Sequence, residues 1–153
     1  MKGRYWFTAA IALLVVRASA VDIASSGDWT QTITAADLTG GAGTDLNSQY
    51  DSPVGIATIN ISNVSGTWHV SARRDTGTWP AGLHLWVRRT SDGSGTGSIS
   101  GGAAFVEISA LDTDVFSGTE TRDNVALQFR VTGMSKNVTP DTYVSSVIYT
   151  VTP

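Results

Sequence analysis

At 153 residues, with 10 Lys and Arg against 13 Asp and Glu and no cysteine, the chain is weakly acidic and of single-domain size. The missing cysteines exclude disulfides, thiol catalysis, iron–sulfur clusters and cysteine-based zinc sites. The basic residues are too few and too scattered for a nucleic-acid surface, with Arg73, Arg74, Arg88 and Arg89 forming their one cluster.

Residues 1–20 read as an export signal. Lys2 and Arg4 precede the apolar run 5–16, and the small residues "ASA" at 18–20 place cleavage after Ala20. The apolar run is shorter than the roughly 20 residues that cross a bilayer, and no later stretch reaches that length. The mature chain, 21–153, is therefore expected to be secreted, to the periplasm or the cell surface, as a single domain with no membrane span. Removal of Lys2, Arg4 and Arg17 leaves 7 basic against 13 acidic residues, a net charge of −6 spread over the surface.

Beyond the signal, period-two alternation dominates. The β-branched run 29–34 is predicted as a strand, followed by a turn-rich stretch over 38–54 and a second strand over 55–62. The run 67–72 sets Trp68, Val70 and Ala72 against Thr67, His69 and Ser71. After the loop 74–82, the run 83–89 sets Leu83, Leu85 and Val87 against His84, Trp86 and Arg88. The Gly- and Ser-rich loop 91–102 leads to strands over 103–109 and 124–131, the latter with Val125, Leu127, Phe129 and Val131 on one face. The turn 134–141 precedes a seventh strand over 143–151.

Seven short strands without a helical period predict an all-β fold: an immunoglobulin-like two-sheet antiparallel β-sandwich, with a jelly roll as the alternative. Its expected core is Trp68, Val70, Leu83, Leu85, Val87, Val106, Ile108, Val125, Leu127, Phe129, Val147 and Tyr149. With no cysteine, packing and backbone hydrogen bonds carry the stability.

Catalytic groups are scarce. His69 and His84 are the only histidines; they meet if strands 67–72 and 83–89 form a hairpin, yet two imidazoles fall short of a zinc site. The run 93–102 has the composition of a β–β loop rather than of a nucleophile elbow. Asp112 and Asp114 read as turn chemistry, with calcium as the minority reading. The expectation is a non-enzyme with no metal and no cofactor. Trp79, beside Pro80, and Trp86, outward between His84 and Arg88, offer indole faces of the kind that stack on sugars, so Trp79, His84, Trp86 and Arg88 are the candidate ligand-binding surface. Asn60, Asn63 and Asn137 lie in N-x-S/T triplets, which matter only in a host that glycosylates them.

The closing segment "TPDTYVSSVIYTVT" (139–152) resembles the last strand of exported bacterial fimbrial and spore-coat-type subunits, in which a Pro/Gly turn leads through a Tyr into an alternating Val/Thr/Tyr run. The resemblance implies a structural or adhesive role at the cell surface or in a filament, with self-association through sheet edges; a carbohydrate- or other ligand-binding module is the alternative. Two departures stand out. Chaperone–usher subunits carry a cysteine pair and lack a strand that a neighbour's N-terminal extension supplies, whereas this chain has no cysteine and shows seven strands of its own. The stretch 21–34 is nonetheless loosely apolar at its start, as an extension would be.

Overall fold

The computed structural model describes residues 21–75 and 79–153. The expected signal segment lies outside the described residues. Among them, ten strands form two antiparallel sheets packed as a β-sandwich: β1 (Asp22–Ser26), β2 (Gln49–Asp51), β3 (Ala57–Ser62), β4 (Thr67–Arg74), β5 (His84–Arg89), β6 (Ile99–Gly101), β7 (Val106–Ile108), β8 (Thr113–Thr119), β9 (Arg122–Thr132) and β10 (Val147–Thr152). One sheet runs β1-β3-β9-β5-β7, and β2 pairs with β9 beyond β3; the other runs β10-β4-β8-β6.

The long strand β9 organises the first sheet. Its first half pairs with β3 and its second half with β2 on the same edge, while β5 takes the opposite edge. The alternation of Val125, Leu127 and Phe129 drives this, because each inward side chain then joins the core. On the outward side Gln128 is also buried, and it is satisfied at both ends: its Nε2 donates to the Ser52 carbonyl and its Oε1 accepts from Arg88 Nε.

The core joins both sheets through Ile59, Ile61, Val87, Val125 and Leu127 on one side and Trp68, Val70, Ala72, Val115 and Phe116 on the other. Trp68 is 0 % exposed, donates its indole N–H to the Glu120 carbonyl at 2.8 Å, and meets Phe116 edge-on at a centroid distance of 6.1 Å. Of the expected core, Val106, Val147 and Tyr149 lie half-buried at the margin, because β7 and β10 are edge strands.

Several expectations are corrected. The run 29–34 is not a strand: it has β-branched residues but pairs with no strand among the described residues. The last strand starts at Val147 rather than at residue 143. β1, β2, β6 and β8 are additional. β8 escapes the pattern because a bulge opposite Val70 and Ser71 turns the consecutive residues Val115 and Phe116 both inward. β4 and β5 belong to different sheets, so His69 and His84 do not meet across a hairpin and point to solvent from opposite sides of the sandwich.

Candidate functional site

Two regions carry polar and aromatic side chains in a form that can meet a partner. The first is the outer face of the six-stranded sheet. There the period of two on β5 brings His84, Trp86 and Arg88 into one file, as their alternation requires. Each is already engaged by its neighbours. His84 Nδ1 lies 2.6 Å from Glu107 Oε1 on β7, the Trp86 indole donates to Thr132 Oγ1 at 2.9 Å, and Arg88 donates to Gln128. The guanidinium carbons of Arg88 and Arg130 stand 4.7 and 3.9 Å from the centre of the Phe105 ring.

Arg130 also forms a forked pair with Asp51 on β2, donating Nε and Nη2 to the two carboxylate oxygens at 2.7 and 2.8 Å. The Arg130 hydrogen bond holds the Asp51 carboxyl below the ordinary carboxylate range, with burial opposing it. A folded-state pKa depressed in this way contributes stability that is complete above the ordinary range, about pH 4, and is lost as pH falls through the lower folded value. Asp51→Asn is therefore expected to flatten the acid limb of stability below about pH 4. Urea midpoints of both proteins between pH 2 and 7 check this; the effect is small, as for other surface pairs.

Trp79 does not join that face. It lies half-buried against the core, donates its indole N–H to the Leu83 carbonyl at 2.6 Å, and sits beneath Arg74 at 5.8 Å. It thus separates from His84, Trp86 and Arg88 and belongs to the second region.

That region is a cavity of about 1150 Å³ between the two sheets. β2, β5 and β9 wall it on one side and β10 on the other, and the non-strand segments 27–34 and 138–146 complete it. Tyr50 and Tyr149 both line it, and both phenol oxygens are closed to solvent: the Tyr50 hydroxyl stands beside the Asp37 carboxylate, and the Tyr149 hydroxyl has no hydrogen-bond partner among the described residues. Burial raises both phenols, Tyr149 well above the ordinary range, and the Asp37 carboxylate adds to the shift at Tyr50. Sequence reasoning missed this site because half of its wall comes from segments without a period; Trp29 and Tyr143, aromatics set among polar residues, were its only signal.

Asp112 pairs with Arg73 at 3.6 Å, and Asp114 projects from β8 into solvent. Among the described residues no group of three or more His, Asp or Glu side chains stands ready to hold a metal ion, and no helix is long and apolar enough to cross a membrane. Comparison with protein-family models, with curated proteins and with solved structures finds no match to this chain.

Proposed function

We propose that the protein is an exported, non-enzymatic structural or adhesive component of a cell surface or surface filament, associating through the unpaired edge of β10. The observation that carries this reading is the character of that edge. β10 pairs with β4 over six residues, and no second strand among the described residues pairs with it, although β1 of the other sheet lies close beside it. The other outermost strands are shorter or guarded: β6 and β7 have three residues each, β7 with Glu107, and β1 begins with Asp22. β10, "VIYTVT", has no charge, proline or glycine, and its outward Ile148 is 37 % exposed. An uncharged β-branched edge is a template for strand pairing, which monomeric proteins normally block.

Glycan binding at β5 is the weaker reading. The Trp86 indole N–H is already committed to Thr132, and the Phe105 ring is occupied by two guanidinium groups. The association reading is tested by light scattering over a concentration series with electron microscopy of the same samples. Growing oligomers or filaments are expected, and Ile148→Lys/Thr150→Lys, which sets two charges on the outer face of β10, is expected to abolish them. A wild-type protein that stays monomeric at every concentration would sink the reading.

A further inference from the structure

Which partner the β10 edge takes is decided by where its main-chain groups point. The Asp75 N–H donates to the Ser146 carbonyl at 2.9 Å, one pair before β10 begins, and the register runs from there without a bulge to Thr152 and His69. Antiparallel pairs alternate between those that exchange both hydrogen bonds and those that exchange none. Ile148, Thr150 and Thr152 therefore bond to β4, and the N–H and C=O groups of Val147, Tyr149 and Val151 turn the other way. No hydrogen bond from the described residues reaches these groups, and β1, close as it lies, pairs only with β3.

A second β10 suits them best. It matches the length of six residues, whereas β6 and β7 offer three each and β1 presents Asp22. It has no charge, so two copies side by side bring no like charges together. Opposite residues of an antiparallel pair point to the same face, so inward residues must meet inward ones and the possible registers differ by two residues. With Tyr149 on the axis, Tyr149 exchanges two bonds with its copy, and Val147 and Val151 exchange two at each end, six in all. A shift of two residues either way leaves four within the strands, from Tyr149 with Val151 or with Val147.

We infer that two copies of the chain join β10 to β10, antiparallel about a two-fold axis at Tyr149, so that their four-stranded sheets run on as one. This rests on the proposed association through β10 and adds its partner and its limit. A two-fold edge is used up by one neighbour, so longer assemblies are built from such pairs through another surface. In this register Ile148 of one copy stands opposite Thr150 of the other on the outer face, in a pair without hydrogen bonds and about 4.5 Å apart at Cα.

The chain has no cysteine, so introduced ones report the pairing without background. Ile148→Cys and Thr150→Cys, both on the exposed face of β10, are made as separate proteins, and circular dichroism confirms that they fold. Mixed, equilibrated and oxidised in air, they are expected to form disulfide-linked dimer about tenfold faster than either protein alone, because like positions stand about 8 Å apart and out of reach of a disulfide. Light scattering on the unmodified protein separates two failures. If that protein stays monomeric at every concentration, association at β10 is wrong and the two-fold pair falls with it. If it associates while either variant links as fast alone as in the mixture, association stands and the register is overturned. The same holds if the mixture links no faster than Ser100→Cys, a control on the exposed face of β6.

Discussion

Trp68→Ala is expected to cost about 3–5 kcal/mol, a large share of the roughly 5–15 kcal/mol that holds a domain of this size together. The side chain is 0 % exposed, sits at the centre of the four-stranded sheet and lies against Phe116. Its indole N–H satisfies the carbonyl of Glu120, a non-glycine residue held at φ 59° in the turn between β8 and β9. Truncation therefore opens a cavity and frees the acceptor that anchors this turn.

The space for Trp68 is made by Gly118, its cross-strand neighbour on β8. A Cβ at Gly118 would run into the indole ring on one side and would stand 2.6 Å from the Ser98 carbonyl on the other. The φ of Gly118 is not positive, so the requirement is for room and not for backbone freedom. Gly118→Ala should destabilise the protein severely in the wild-type background and much less beside Trp68→Phe, whose smaller ring returns the space. Urea unfolding of the four proteins measures this coupling; equal cost in both backgrounds would refute it.

How legible the fold was depends on where alternation survives. Runs such as 67–72, 83–89 and 124–131 face a core on one side only, and their periodicity located β4, β5 and β9 to within a few residues. β1, with the polar sequence Asp-Ile-Ala-Ser-Ser, is held by five residues of pairing with β3, a long-range fact that no local pattern contains. The same logic reverses at 29–34, where strand propensity finds no partner and the chain instead seats Trp29 against the core. The outward file His84, Trp86 and Arg88 could be read from the period of β5. The cavity could not, because segments distant in sequence meet there and their contact is set by the packing of the two sheets.

The stretch that leads from residue 91 into β6 carries the second large expectation. Gly93, Gly95 and Gly97 lie at φ +64°, +135° and +79°, and a Cβ on any of them would strike a backbone carbonyl: Asp123, Thr121 and Thr119 in turn. The loop thus runs along the β8–β9 corner with every second residue in contact, and Ser94 bonds Asp123 in both directions at 2.8 Å. Two guanidinium groups tie it down: Arg122, 8 % exposed, donates to the Gly97 carbonyl, and Arg89 donates twice to Gly101 at 3.0 and 2.8 Å. Gly95→Ala is expected to cost about 1–3 kcal/mol from backbone strain alone and more from the clash. Ser94→Ala, one residue away with its side chain in solvent, should cost nothing measurable. The contrast is the informative part. A catalytic elbow would make Ser94 matter and leave stability untouched, whereas a structural strap makes alternate glycines indispensable and Ser94, between two of them, replaceable.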